Sequence, residues 1–284
     1  LDKLLNPDIT DKERKEAITD EYGVRYTKDG LKLINVSGNL ETYTIKEETR
    51  VISESAFRAC KTLQSIVIPK GVMKIGSMAF NGCNNLTITC KSPSFKVKDG
   101  LLYSKEGELI SCFSATKDII IPSDVTKIGS CAFEGCRCLE TIEIPNSVTE
   151  IRDCVFRDCS SLQSIRIPNN VTEIRECVFC GCTSLKTIEI PNNVTEIGRK
   201  AFEGCSSLRS IEIPNSVIEI REWAFSGCSS LRSIEIPDSV KEIDERAFEG
   251  CTSLKSVVVS RKTKVNKTYD STFKRTTKIR KKWL

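Results

Sequence analysis

A repeat solenoid of short parallel strands, joined by loops and 3₁₀ turns and opened by an N-terminal capping helix, is the fold this sequence predicts. Three observations predict it. First, nearly the same 23 residues recur in tandem: CSSLQSIRIPNNVTEIRECVFCG, CTSLKTIEIPNNVTEIGRKAFEG and CSSLRSIEIPNSVIEIREWAFSG follow one another over residues 159–227. Second, the marker residues keep that spacing: Phe133, Phe156, Phe179, Phe202, Phe225 and Phe248, with Cys136, Cys159, Cys182, Cys205, Cys228 and Cys251 three residues further on. Third, a single copy cannot stand alone. About seven buried apolar side chains supply roughly 10–20 kcal/mol gross. Ordering each backbone residue costs roughly 1–2 kcal/mol, so a copy is stable only when neighbours cover both of its faces.

The elements follow in chain order. Residues 1–21 read as a helical cap: Thr10 and Glu13 have capping-box spacing, and a helix over about 10–21 would turn Ile9, Ala17 and Ile18 toward the array. Residues 22–59 form a hairpin-containing first repeat, with YGVRYTKDGLKLI alternating around a Lys-Asp-Gly turn. Residues 60–98 hold one regular and one degraded copy, the latter a residue short before its proline in NNLTITCKSP. Residues 99–135 repeat the hairpin device in KDGLLYSKEGELI, and 136–250 hold five regular copies. Residues 251–284 are a degenerate capping copy with a basic tail, traced by Val257–Val259, Val265, Phe273 and Ile279, with Thr276 where Cys would fall. Both caps answer one need, since open sheet edges invite aggregation.

Within a copy each position has a task. Leu208, Ile211 and Ile213 fit a short strand with alternate residues inward, ended by Pro214, which has no N–H to give. Val217 and Ile220 form an apolar pair on the return path, and Ala224, Phe225 and Cys228 close the coil. Asn-Ser or Asn-Asn after the proline supplies turn chemistry. Stacked about 4.8 Å apart, the strands are expected to pair into a continuous parallel sheet.

The pattern C-x-S-L-x-S-I-x-I-P-x-x-V-x-x-I-x-x-x-A-F-x-G, met throughout residues 205–227, resembles the BspA-type (treponemal-type) leucine-rich repeat. The resemblance covers nearly the whole chain. It implies a leucine-rich-repeat right-handed superhelix, a curved horseshoe found mostly in bacterial surface proteins and some parasitic protists. It also implies roles in adhesion and protein binding.

Candidate chemistry is sparse. The chain has no histidine, which removes the commonest general base and the commonest metal ligand. No apolar run approaches the roughly 20 residues that span a bilayer. Eight of the fifteen cysteines (60, 83, 136, 159, 182, 205, 228, 251) occupy one core position, where a free thiol packs as a small hydrophobe. Three more, Cys131, Cys154 and Cys177, form a second row two residues before Phe. Other copies carry Lys200, Trp223 and Arg246 there, so the row tolerates solvent and Trp223 reads as a half-exposed lid. The C-x-x-C at Cys177 and Cys180 arises where that row meets an unusual Cys180, and it lacks the setting of a redox or zinc motif. The stacked Glu150, Glu173, Glu196, Glu219 and Glu242, interleaved with Arg152, Arg175 and Arg221, read as surface ion pairs rather than catalytic acids.

The predicted binding surface is the concave strand face. Its outward residues are Glu143, Arg166, Glu189, Arg209, Ser210, Glu212, Arg232 and Glu235. They lack the aromatic anchors that binding hot spots favour, so Tyr26, Tyr43 and Tyr103 on the hairpin edges are the expected anchors. Residues 261–284 carry ten Lys or Arg and one acid, while the rest of the chain holds 33 basic and 37 acidic residues. The tail admits a nucleic-acid or anionic-surface reading. The reading that follows is a non-catalytic, monomeric protein-interaction module at the cell surface or secreted. An intracellular scaffold is the alternative. No cofactor, metal, catalytic residue or small-molecule substrate is expected, and the partner is an unidentified protein rather than nucleic acid.

Overall fold

The computed structural model describes residues 5–83, 86–265 and 278–282. They form a β-solenoid of about ten turns. The chain divides into two compact units, residues 1–115 with 129–133 and residues 116–128 with 134–284.

The second unit holds the regular copies, and each position does what stacking demands. In the copy at 205–227, Cys205, Leu208, Val217, Ile220, Ala224 and Phe225 are fully buried and Ile211 and Ile213 nearly so. The phenylalanines form one column. Phe156, Phe179, Phe202, Phe225 and Phe248 lie nearly parallel to their neighbours, ring centroids 5.2–5.6 Å apart and planes within 13°. That spacing slightly exceeds the distance between coils, as an offset stack requires.

The cysteine position has a polar reason as well as an apolar one. Cys182, Cys205, Cys228 and Cys251 each direct Sγ–H at the carbonyl of the phenylalanine 26 residues back, at 3.1–3.3 Å. The same carbonyl also accepts from a cysteine N–H in its own coil, as Phe179 does from Cys182 at 3.1 Å. Alanine would lose both the sulfur's volume and this cross-coil bond. Burial pushes the Cys182 thiol up to about 12, so these sulfurs are packing groups and poor nucleophiles.

Two turn positions in each coil carry positive φ. One lies two residues after the phenylalanine and is usually glycine: Gly204, Gly227 and Gly250, with φ of 73°, 72° and 71°. The glycines stack, and a Cβ on Gly227 would come within 3.4 Å of Gly204 backbone. The other lies two residues before the phenylalanine, at Cys131, Cys154, Cys177, Lys200, Trp223 and Arg246, with φ between 55° and 59°. Backbone geometry there is uniform while side-chain chemistry varies freely.

The expected continuous sheet forms only in part: the return side is paired over five successive strands, while Glu150–Ile151 belongs to a separate sheet. The return strands Glu173–Ile174, Glu196–Ile197, Glu219–Ile220, Glu242–Ile243 and Lys264–Val265 pair without interruption. On the other side the ladder is broken. Asp118–Ile120 pairs with Thr141–Glu143, and Ser164–Arg166 with Thr187–Glu189. Ser233–Glu235 pairs with Ser256–Ser260, which pairs with Lys278–Lys282. Residues 210–212 carry no strand. The strands of the regular copies are three residues long and run into a proline without an N–H, so each offers its neighbour few donors.

The first unit contains two antiparallel hairpins. Val24–Tyr26 pairs antiparallel with Lys32–Val36, and Leu101–Ser104 with Glu108–Cys112. Each gains a third strand, Ile18–Thr19 and Phe95–Lys98 respectively. The expected cap over 10–21 is corrected to a single short helix, Asp11–Lys15. Its capping box is present, with Glu13 N–H donating to Thr10 Oγ1 at 3.2 Å and Thr10 N–H to Glu13 Oε2 at 2.8 Å. Beyond it the chain turns extended, because Ile18–Thr19 gains more by completing the hairpin's edge than by continuing an isolated helix. Ile18 is accordingly exposed rather than turned to the core. Lys32, buried, meets Glu13 at 3.0 Å and ties the short helix to the hairpin.

At the far end, Ile279 lies opposite Val257, so the segment Lys278–Lys282 of the basic tail continues the strand ladder. Phe273 and Thr276 lie outside the described residues.

Replacing Phe202 by Ala should remove one ring from the middle of the column and cost about 3–5 kcal/mol. Cys205→Ala, losing one hydrogen bond and one sulfur, should cost about 1–2 kcal/mol. Urea denaturation of the two variants checks both, and equal effects would remove the phenylalanine column from its leading role.

Candidate binding surface

The strand side of the second unit presents its outward residues in rows, because alternation along each strand turns the isoleucines in and their neighbours out. Glu143, Arg166, Glu189, Arg209, Ser210, Glu212, Arg232 and Glu235 are all exposed. Stacking lays them in parallel stripes. Lys186, Arg209, Arg232 and Lys255 form a basic stripe along one margin; Glu189, Glu212 and Glu235 form an acidic stripe beside it. Between them runs a row of small hydroxyl side chains, Thr187, Ser210 and Ser233. Where Thr141, Ser164 and Thr187 replace bulk with hydroxyls, a shallow hollow of about 470 Å³ opens. Ile142, Ile165 and Ile188 form its floor, and Arg166 and Glu189 its charged rim.

The hairpin tyrosines belong elsewhere. Tyr26, Tyr43 and Tyr103 are 1%, 7% and 4% exposed, so none presents a ring to a partner. Their alternation with aliphatic residues reflects the core side of each hairpin. The Tyr26 and Tyr43 hydroxyls bond each other at 2.7 Å, and Tyr43 donates to Asp20. The Tyr43 ring packs on Phe57, which stacks on Phe80. The exposed aromatic of this region is Tyr22, edge-on to Tyr43 at 5.9 Å.

The opposite, return-strand side carries a charged groove of about 510 Å³. Its glutamates face one another in register, Glu173 to Glu196 to Glu219 to Glu242. Two such charges about 5 Å apart repel by roughly 0.8 kcal/mol in water. Arginines two residues on neutralise the row across coils. Arg175 reaches Glu150 at 3.5 Å and Glu173 at 3.3 Å; Arg221 reaches Glu196 at 3.0 Å and also meets Glu219. Arg199 spans Glu176 and Glu222 at 2.8 and 3.4 Å. These carboxylates are structural ion-pair partners. Trp223, half-buried, follows the groove residue Glu222 and has the cations of Arg199, Lys200 and Arg246 at 5.0, 5.1 and 5.7 Å from its ring. Trp223 covers its neighbours' charged ends, and this cation–π arrangement was visible in sequence only as a tryptophan stacked between Lys and Arg at 23-residue spacing.

Comparisons with known proteins agree with this architecture. A family model described as "BspA type Leucine rich repeat region" matches residues 34–109, 110–203 and 178–282, in six copies. A leucine rich cell surface protein from Faecalibacterium prausnitzii is similar at 34% identity over 69% of this chain and 59% of that one, with a TM-score of 0.60. This chain therefore spans less than two thirds of that protein's length. A leucine-rich repeat protein from Eubacterium ventriosum shares the fold at 24% identity over 77% of this chain and 67% of that one, TM-score 0.65. The pneumococcal vaccine antigen PcpA shares it at 19% identity, covering 86% and 63% of the two chains, TM-score 0.57. No curated protein matches the sequence.

The return-strand network makes a prediction about acid stability. Burial opposes ionisation of Glu150, but the hydrogen bond from Arg152 and the charges of Arg152, Arg175 and Lys127 outweigh it and hold this carboxyl below its ordinary value. A depressed carboxylate contributes stability above its unfolded value, about 4.3, and loses it as pH falls through the lower folded value. Glu150→Gln should therefore be less stable than the parent at pH 7, with the difference shrinking at a pH below about 4.3. Denaturation midpoints at the two pH values check this.

Proposed function

This chain belongs to the BspA-type leucine-rich repeat family, and we propose that it is a non-catalytic protein-binding module of a bacterial cell surface that engages its partner through the strand face. Such repeats serve as protein-interaction modules. The observation that carries the choice of face is its striping: basic Lys186, Arg209, Arg232 and Lys255 run beside acidic Glu189, Glu212 and Glu235, all exposed. Opposed stripes set the register of a partner whose charges are ordered the other way, and they steer its approach. On the return side the corresponding charges are spent on one another across coils. Surface placement is supported by the cell-surface description of the F. prausnitzii protein. Among the described residues no helix is long and apolar enough to cross a membrane.

Without aromatic anchors, affinity on this face would come from many small contacts over several coils. Binding of that kind weakens with ionic strength, because exposed charges are screened beyond about 10 Å at 0.1 M salt. The test is a panel of purified secreted and matrix proteins measured against the intact chain. For any binder, the fourfold reversal R209E/E212K/R232E/E235K should weaken affinity at least ~10-fold. Lys241→Glu, exposed on the return side, should leave it unchanged. Undiminished binding by the fourfold variant overturns the choice of face, and a panel without any binder overturns the adhesion reading.

A further inference from the structure

The positive-φ row carries thiols in the coils before Lys200, and one of them has a neighbour that the repeat does not call for. Cys177 follows Cys154 in the row, so stacking puts the two side chains in adjacent coils. Cys180 stands where other copies carry Glu134, Arg157, Glu203, Ser226 or Glu249. No ladder of like residues explains it. Yet Cys154 and Cys180 both hydrogen-bond the Cys177 thiol, and the Cys180 sulfur also reaches Glu203 Oε2 at 3.6 Å. Three thiols thus meet at one point of the surface. Cys154 and Cys180 are half-exposed, and Cys177 retains 8% exposure.

We propose that Cys177 and Cys180 are an oxidation site, forming an intrachain disulfide by exchange with a low-molecular-weight disulfide such as oxidised glutathione. The backbone suits the bond. Cys180 N–H donates to the Cys177 carbonyl at 3.1 Å, closing a four-residue turn. The ends of such a turn lie within 7 Å of each other, and disulfides accept Cα separations of about 4.4–6.8 Å.

The chemistry has a direction. Hydrogen bonds from Cys154 and then Cys180, aided by the positive charges of Arg157 and Lys200, hold the Cys177 thiol below its ordinary value. Cys180 is pushed the opposite way, first by its bond to Cys177. Cys177 is therefore the thiolate that attacks one sulfur of RS–SR, breaking that bond and expelling RS⁻. Cys180 then loses its proton and attacks the Cys177 sulfur, expelling the second RS⁻. Two protein thiols are oxidised, one small disulfide is reduced, and both thiol protons leave on the two RSH molecules. The core-row thiols Cys182, Cys205 and Cys228 are fully buried and lack the access. The site is independent of the strand face and of what that face binds.

The experiment is peptide mapping of the folded protein after oxidised glutathione, with free thiols blocked before unfolding. Trypsin releases residues 176–186, ECVFCGCTSLK, separately from the peptide that holds Cys154. The 176–186 peptide should lose two hydrogens, and fragmentation should place the bond between Cys177 and Cys180. Cys180→Glu, the residue of Glu134, Glu203 and Glu249, should fold as the parent does by circular dichroism. It should abolish that loss and leave Cys177 with a glutathione adduct. A two-hydrogen loss that persists in Cys180→Glu, a cross-link joining Cys154 to Cys177, or adducts confined to other cysteines such as exposed Cys138 would each overturn the assignment.

Discussion

Like residues at one level of neighbouring coils meet side by side, and this register is the constraint from which the rest of the structure follows. A phenylalanine in this array has a phenylalanine above and below it, a few ångströms away. The demand on each interior position is therefore self-complementarity. Planar rings, branched aliphatics and small thiols satisfy it, which is why the buried face of each copy is written almost identically. The cysteine goes further by bonding backward to a neighbour's carbonyl, so the coils between Phe156 and Cys251 are joined in turn by polar links inside an apolar column. Where the ladder of the strand side lapses at residues 210–212, the column and the return ladder still hold the coils in step.

The same constraint turns hostile for charge. A row of glutamates in register is repulsive, and the return side answers with arginines two positions on, each spanning glutamates of different coils. The row closes against Lys264, which meets Glu242 at 2.8 Å. Charge balance here is arranged between coils rather than within them. Removing one arginine therefore frees carboxylates in two copies. The strand face obeys another arithmetic: its stripes set unlike charges along a strand and like charges between coils, all of them exposed.

Much of this was legible in the sequence because a period of 23 acts as an alignment of the chain with itself. The inward identity of Leu208, Ile211, Val217, Ile220, Phe225 and Cys228 follows from recurrence alone, as do the antiparallel hairpins around their Lys-Asp-Gly and Lys-Glu-Gly turns. Three features were not legible, each for a physical reason. The length of the cap depended on competition between a weak helix and a free hairpin edge, which local pattern does not weigh. The burial of Tyr26, Tyr43 and Tyr103 depended on which side of a hairpin faces the core, and alternation is blind to that choice until a partner is known. The broken strand ladder depended on how few donors a three-residue strand ending in proline retains. Of the candidate surface, the exposed rows were readable and the hairpin anchors were not.

The positive-φ row shows where such an array is free to carry chemistry. Interior positions are bound to self-stack, and the return strand is bound to neutralise itself. The row before the phenylalanine is bound only by its backbone, held near φ of 57° whatever the residue. Its side chains meet neighbours in the row and groups just beside it, as Lys200 meets both Trp223 and Glu203. Two cations of the row, Lys200 and Arg246, gather on Trp223 with the adjoining Arg199, and thiols gather on Cys177 in the preceding stretch. A pair of adjacent substitutions in this row creates a contact without disturbing the core, because the contact lies between coils already held in register by the column beneath. Cys180 extends that logic by one turn. It is a residue the stacking did not require, placed beside one whose environment the stacking had already set.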